Sequence, residues 1–514
     1  MSTSEKYAGS AFAVVATAIA IAMVRKKWGS RRPPYPPGPK GYPIIGNLFD
    51  FPQNPIWEGF ARMSQEYNTD ILHLDMMGSH MVVLNNSDVA ADLLERRSLI
   101  YSDRPRMPMV NELMGCAWSF SVMHYGTTWR NHRRLFHRFF NISVADQFDD
   151  KIHKAVNVFL RRLAESPERF LKHVHFLTGS LTLSIAYGVD IESESDRFYA
   201  ASEEAMSAVQ VALLPGSFLV DAFPILKHIP EWFPGAGFKT FARKAKKDLD
   251  KLADLPFYHV KESFEAKTIT DSSFTATCLE ELPELAKNGV DEEAIRAVGA
   301  TIFLAGEETT SSSIQAFFLA VTMHPEVVHL AQRELDEVLG GERLPDFSDK
   351  PRLPYISAVI KEVLRWKPPN PLGTPHRLME DDVYEGWFIP AGATVFDNPW
   401  AVFHNESLYP DAHAFKPDRF LKDGQIDPDV KDPEVLIFGC GRRICPGRHF
   451  ALRLLFLTIA RTLAVFDIST CLDEDGNPIV PDGRSTHGLI SHPLPFRSDI
   501  KPRSDQALSL IAGN

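Results

Sequence analysis

The chain has 514 residues, 44% of them hydrophobic, with 35 Phe and a formal net charge of -11. That composition fits a large globular core with much apolar lining, the acidic balance argues against a nucleic-acid surface, and no internal repeat or low-complexity tract points to a solenoid. The five cysteines, Cys116, Cys278, Cys440, Cys445 and Cys471, are odd in number and irregularly spaced, which argues against a disulfide framework and for a reducing compartment.

Tyr7 to Val24 is an uncharged run of 18 residues, just long enough to cross a bilayer as a helix. Arg25, Lys26, Lys27, Arg31 and Arg32 follow it, whereas only Glu5 and Lys6 precede it, so the positive-inside rule leaves the rest of the chain in the cytosol. A cleaved signal peptide would carry its charges on the other side of the run. Residues 1–32 are therefore read as a membrane anchor with a basic flank, in contact with membrane lipid. Pro33-Pro34-Tyr35-Pro36-Pro37-Gly38-Pro39 cannot be helix or central strand, so 33–47 is a stiff extended hinge and 48–514 the main domain.

Within that domain, Ile71 to Asp75 and His80 to Leu84 around Gly78-Ser79 predict a β-hairpin, one of few β signals. Asp103 to His124 has no regular pattern and reads as an irregular loop with apolar contacts. A basic helix carrying Trp129-Arg130-Asn131-His132-Arg133 follows, and Val144 to Leu214 is helical in period up to Pro215-Gly216. The segment from Phe223 to Pro234 is too apolar for a solvated loop, so it either closes the protein's own core or dips into the membrane.

The longest helical stretch is Asp291 to Met323, opened by an Asp cap with Glu292 and Glu293 in the first turn and closed before His324-Pro325. Its apolar middle is broken by Gly306-Glu307-Glu308-Thr309-Thr310. An interior Gly costs about 1 kcal/mol relative to Ala, and a buried carboxylate costs more unless paired. Such local damage marks function, although a Thr in a helix also bonds the carbonyl one turn back. Leu353-Pro354 opens a further helix with Glu362-Val363-Leu364-Arg365, a spacing that Glu293 to Arg296 repeats and that is weak by itself. Pro371 to Arg377 and Phe415-Lys416-Pro417-Asp418-Arg419-Phe420 follow.

Phe438-Gly439-Cys440-Gly441-Arg442-Arg443-Ile444-Cys445-Pro446-Gly447 is the stretch on which the rest converges. Glycines let backbone N–H groups approach a sulfur, and the apolar helix predicted from Arg448 to Ala464 aims its positive dipole end at Cys445. With Arg442, Arg443 and Arg448 nearby, those donors favour a thiolate, which serves as metal ligand or nucleophile. Cys440, Cys445 and His449 do not supply the four ligands of a structural zinc site. A pair of buried structural cysteines would leave Phe438 and Arg443 unexplained; that reading is kept for Cys440 alone.

The spacing Phe-x-x-Gly-x-Arg-x-Cys-x-Gly resembles, without a departure, that of the heme-thiolate monooxygenases, the cytochrome P-450 family, and the likeness covers about residues 33 to 500. It implies a mainly α protein with the cytochrome P-450 fold, helix-rich with a small β region, behind an N-terminal transmembrane anchor. The implied cofactor is heme b, iron protoporphyrin IX, with Cys445 as axial ligand to the iron and Phe438 and Gly447 shaping the loop beneath it. Trp129, Arg133, Arg443 and His376 would bind the heme propionates, and an indole N–H and a guanidinium suit a carboxylate. Gly306 would let oxygen lie against the long helix, Thr309 would donate to bound peroxide, and Glu308 would relay protons. Glu362, Arg365 and Arg419 would form a buried structural triad behind the heme loop. Asp103 to His124 would roof the substrate pocket, Leu372 to Thr374 would face substrate, and His487 would stand in a last pocket-lining turn.

The activity implied is hydroxylation of a mostly apolar small molecule with O2 and electrons from NADPH, delivered by an NADPH-cytochrome P-450 reductase. Arg130, Arg134, Arg138, Arg442 and Arg448 are the candidate cations of the reductase-docking face. The proline-rich segment and the heme loop are similar to fungal microsomal members of secondary metabolism, among them terpenoid and indole-amine hydroxylases, which implies the endoplasmic reticulum; the apolar loops fit a terpenoid or polyketide better than a charged amine, so a terpenoid is favoured, with a polyketide or an indole amine as alternatives. Two other classes compete: a heme-thiolate isomerase or dehydratase that needs no external O2, and a heme-binding sensor.

Overall fold

The computed structural model describes residues 32–512 apart from 54, 214, 215 and 270, so the expected anchor lies outside the described residues except for Arg32. The predicted hairpin is β1 (Ile71–Met76) with β2 (Ser79–Leu84), paired antiparallel from Ile71 opposite Leu84 to Met76 opposite Ser79. Two strands from far downstream complete the sheet: β3 (His376–Arg377) and β4 (Thr394–Asp397), in the order β1-β2-β4-β3. β4 runs parallel to β2 and antiparallel to β3, so the Pro371 to Arg377 segment is delivered against the helical body by sheet pairing.

The helices that build the site are α1 (Thr127–Phe140), α2 (Asp149–Glu165), α3 (Phe170–Tyr187), α4 (Arg197–Ala212), α5 (Gly237–Glu265), α6 (Glu292–Met323), α7 (Pro354–Trp366) and α8 (Arg448–Val465). The helical period read from Val144 to Leu214 is three helices. Pro167, which has no N–H to continue α2, opens a short 3-10 turn, and Gly188 ends α3 at φ +67 with its N–H on the Ser184 carbonyl. The irregular loop from Asp103 to His124 contains two helical turns, Pro108–Leu113 and Cys116–Trp118, which bury Met109, Val110, Met114 and Cys116.

α6 is the axis of the fold. Asp291 caps it by accepting from the Ala294 N–H at 2.8 Å, and Pro325 ends it by forcing His324 out of helical geometry. It is apolar nearly all round because α3, α5, α7, α8 and α1 pack on it, most extensively α3. Phe317 and Phe318 are fully buried there, each of a kind whose truncation to Ala costs about 3–5 kcal/mol. Among the described residues no single helix is long and apolar enough to cross a membrane; α6 with Pro325–Leu339 passes only as a pair bent by 105°.

Candidate functional site

The glycine-rich loop takes its shape from two contacts. Gly439 and Gly441 both stand at positive φ, +72 and +60, and a Cβ on Gly441 would meet the Leu94 carbonyl oxygen at 2.1 Å. The chain then turns so that the Cys445 N–H donates to the Phe438 carbonyl at 2.7 Å, and α8 starts after Gly447. Cys445 is thereby placed in the wall of a cavity of about 280 Å³. The Gly447 N–H, Arg133 and Arg448 all favour its thiolate, but burial outweighs them and holds the metal-free thiol above its ordinary pKa. Cys440 also reaches the wall, and burial pushes its thiol up to about 12.

α6 contributes Thr301, Ala305, Gly306 and Thr309 to the lining of the same cavity. Gly306 has a packing reason of its own: a Cβ there would stand 2.9 Å from Thr182 Cγ2 on α3. The Thr309 hydroxyl donates to the Ala305 carbonyl at 2.9 Å, the bond a helical Thr makes one turn back. Glu308 is not part of the wall; its Oε2 lies 2.7 Å from His492 Nε2.

The rest of the lining is largely apolar, with hydroxyl and amide groups of Ser121, Asn370 and Thr374, the Asp397 carboxyl and three cations. Arg104, Arg133 and Arg443 are substantially buried, and none is in an ion pair among the described residues. Burial holds Arg133 and Arg104 down to about 10, and burial with repulsion from Arg104 takes Arg443 down to about 8. Asp397 is the one carboxylate in the lining, and it and Asp103 offset part of the charge of Arg104; the three cations still outnumber it, and the excess charge is costly unless an anion arrives to meet it. Arg443 gives its N–H groups to the carbonyls of Ser102, Phe120 and Met123, and lies 4.3 Å above the Trp129 ring. Arg133 Nη2 donates to Ile444 O at 2.5 Å, which leaves most of its donors unused among the described residues.

Two of the sequence-selected donors are differently committed. The one N–H of Trp129 goes to the Phe120 carbonyl at 3.1 Å, so it reaches a carboxylate only by releasing that bond. His376 is buried and holds Nδ1 2.8 Å from the Tyr101 carbonyl, and burial with the nearby Arg104 keeps its pKa well below the ordinary value. A neutral imidazole that donates from Nδ1 has only a lone pair at Nε2, so His376 offers a second donor only when doubly protonated.

Away from the cavity the three triad residues come together. Glu362 takes Arg365 at 2.6 and 2.8 Å and Arg419 at 3.2 Å, with exposures of 0%, 0% and 9%. The other Glu-x-x-Arg, Glu293 with Arg296, also pairs, but its Glu293 is 61% exposed. Of the cations assigned to a docking face, Arg134 is exposed, Arg442 donates to the Tyr125 hydroxyl, and Arg138 is held by Glu281 at 2.7 Å.

A thiol in the wall of a largely apolar cavity, with three buried cations and only one carboxylate among its lining, fits an iron porphyrin with two carboxylates. Sequence reasoning passed over Arg104, which local pattern does not distinguish from its neighbour Arg106. It also missed Asp397, which forces Gly373 to be glycine, since a Cβ there would lie 2.0 Å from its Oδ1. His487 lines a smaller chamber of about 150 Å³, beside Trp57 and Leu372.

Comparison with known proteins agrees. The family model described as cytochrome P450 matches residues 36–498. The chain is 41% identical over 508 residues to a cytochrome P450 monooxygenase of Armillaria gallica, covering 98% of this chain and 99% of that one. A cytochrome P450 monooxygenase of Coprinopsis cinerea is 42% identical over 93% of this chain and 91% of its own. The tryptamine 4-monooxygenase of Psilocybe cyanescens is 38% identical over 97% and 98%. The chain belongs to the cytochrome P450 family and is a heme-dependent monooxygenase.

Proposed function

We propose that this monooxygenase hydroxylates a mostly apolar small molecule of secondary metabolism, a terpenoid before a polyketide or an indole amine, using O2 and electrons passed from NADPH by a cytochrome P450 reductase. The observation that carries the reading is the largely apolar cavity lined by both Cys445 and Thr309. The heme supplies oxygen activation when bound, and a thiolate ligand favours O–O cleavage. This chain's part is to hold the iron through Cys445, to meet the propionates with Arg133, Arg443 and, after their present bonds are released, Trp129 and a protonated His376. It also shapes the pocket and delivers protons. For delivery the Thr309 hydroxyl must leave the Ala305 carbonyl and turn into the cavity, with Glu308 supplying its proton. The triad of Glu362, Arg365 and Arg419 keeps the heme loop in place and takes no part in proton transfer.

The enzyme is anchored at the endoplasmic reticulum by residues 1–32, with 48–514 as a cytosolic catalytic domain joined through the hinge at 33–47. Exposed Leu219, Ile225, Trp232 and Phe233 support a second contact with lipid, because apolar side chains of this size rarely face water together. Arg130, Arg134, Arg138 and Arg442 are exposed, and of these Arg134 is the one with no side-chain partner among the described residues. The tryptamine named for one relative keeps an indole amine among the candidates.

An isomerase or dehydratase reading has one observation in its favour, the Thr309 hydroxyl satisfied within its own helix. Terpenoid, polyketide and indole-amine scaffolds incubated with the enzyme, a reductase and NADPH separate the readings. A monohydroxylated product under air and none under nitrogen is expected. Product formation under nitrogen would establish the isomerase reading, and no product from any scaffold would remove the proposed substrate class.

A further inference from the structure

One cluster of titratable groups stands outside the cavity wall. Glu308 is 10% exposed and His492 12%, and their charged atoms are 2.7 Å apart, yet the contact is not an aligned hydrogen bond. Glu308 Oε2 and both ring nitrogens of His492 are buried without a hydrogen-bond partner among the described residues. The His492 ring stacks on His175 of α3, with centroids 5.8 Å apart and planes at 30°. His175 in turn meets Ser311 Oγ at 3.2 Å and Gln315 Nε2 at 2.8 Å, both on α6, and burial lowers its pKa.

The segment carrying His492 is fixed on both sides. Ser312 Oγ donates to the Ser491 carbonyl at 2.6 Å, the His492 N–H to Thr486 Oγ1 at 2.9 Å, and the Thr486 N–H to the His492 carbonyl at 2.7 Å. The neighbouring carboxyl, Glu307, is 2% exposed, and burial with repulsion from Glu308 and Glu203 drives its pKa well up. Two buried carboxyls are thus adjacent in sequence, and one imidazole touches only the second. The unpartnered Nδ1 on the far side of the ring is an atom of the kind that buried water satisfies.

Resting on the reading of Glu308 as proton donor to the cavity, we infer that His492 is its positioning residue, holding Glu308 and returning a proton to it after each turnover. The imidazole passes its Nε2 proton to Glu308 Oε2 while its Nδ1 lone pair takes a proton from solvent, which leaves a carboxylic acid and an imidazole protonated at Nδ1. A turn of the ring toward solvent then lets water exchange that proton back to Nε2. No electron moves. Ring stacking against His175 sets the plane of His492, and a small turn about its side-chain bonds aligns the N–H that is off line at rest.

The test uses the full-length, heme-loaded enzyme with its reductase. His492→Gln keeps a hydrogen-bond donor for Glu308 but carries no titratable proton. It is expected to retain heme content, the carbon monoxide band and substrate affinity, while product formation falls by about tenfold and peroxide released per product rises. In the substrate-free enzyme, without turnover, the thermal midpoints of Glu308→Gln, His492→Gln and the double variant should be non-additive, as for groups in contact. Should His492→Gln fail to fold, Thr486→Val serves, since it keeps the imidazole and removes one bond that fixes it; a smaller rise in peroxide is expected. Additive midpoints, or a wild-type peroxide ratio in these variants, would overturn the inference. If Glu308→Gln itself leaves the peroxide ratio unchanged, the proton-donor reading fails; if Glu308→Gln raises it and the His492 variant does not, only the role of His492 fails.

Discussion

Glu362→Gln is the substitution whose cost follows most directly from the structure. Glu362 is fully buried; it accepts Arg365 Nε and Nη2, Arg419 Nε and the Lys416 N–H, and Arg365 also serves the carbonyls of Phe403, Ala412 and Ala414. The amide keeps the shape but removes the one charge that offsets two guanidinium groups, and it turns an acceptor into a donor facing them. Breaking a buried pair from one side costs about 3–5 kcal/mol, because the remaining charge stays desolvated. That is about a hundredfold to a few thousandfold in the folded-to-unfolded ratio. The matched control is Glu293→Gln, the same motif on the surface, worth at most about 1 kcal/mol. Thermal unfolding followed by loss of the heme absorption band should show a large drop in midpoint for Glu362→Gln and almost none for Glu293→Gln. Equal midpoints for the two variants would refute the argument that burial, and not the motif, sets the energy.

Cys445→Ser should lose the red-shifted band of the reduced carbon monoxide complex, while Cys440→Ser retains it; that band in the Cys445 variant would end the axial-ligand assignment. Thr309→Ala should keep substrate binding and NADPH consumption but release more peroxide per product, and an unchanged ratio would leave Thr309 as a helix-packing residue. Arg134→Glu should slow the first electron transfer in stopped-flow reduction and weaken its salt dependence, whereas wild-type rates at low salt would remove Arg134 from the docking face. Burial holds His73 down to about 4 and His404 to about 3, and keeps His376 neutral. Their folded pKa values lie below the unfolded value of about 6.5, so their share of stability is complete above that pH and is lost as the pH falls toward the folded values. The thermal midpoint should therefore decline below about pH 6.5, and a flat profile down to pH 5 would show that these imidazoles are not kept neutral by the fold.

Much of the site was legible as sequence because the chemistry needs rare residue types at fixed spacing. A cysteine after a glycine-rich turn, an Asp-capped apolar helix interrupted by Gly306 to Thr310, and a β-hairpin at Gly78-Ser79 depend on local backbone geometry, and local pattern finds them. The helix ends at Asp291, Pro325 and Pro354 were equally readable, since capping and the missing proline N–H act within a few residues. The single helical stretch read from Val144 to Leu214 was not, because periodicity continues across a short break that Pro167 and Gly188 impose.

Tertiary structure decided what contact over long separations decides. Nothing local distinguishes Glu362-x-x-Arg365 from Glu293-x-x-Arg296; Phe403, Ala412 and Arg419 arrive from elsewhere and bury the first. The same holds for Arg104, which nothing local sets apart from Arg106 until folding places it in the lining with Arg133 and Arg443, and for His492, whose partners His175 and Glu308 come from two separate helices. The physical reason is common to all: spacing along the chain fixes which groups share a turn or a helix face, but burial, and with it the cost of a charge, exists only once distant elements close around it.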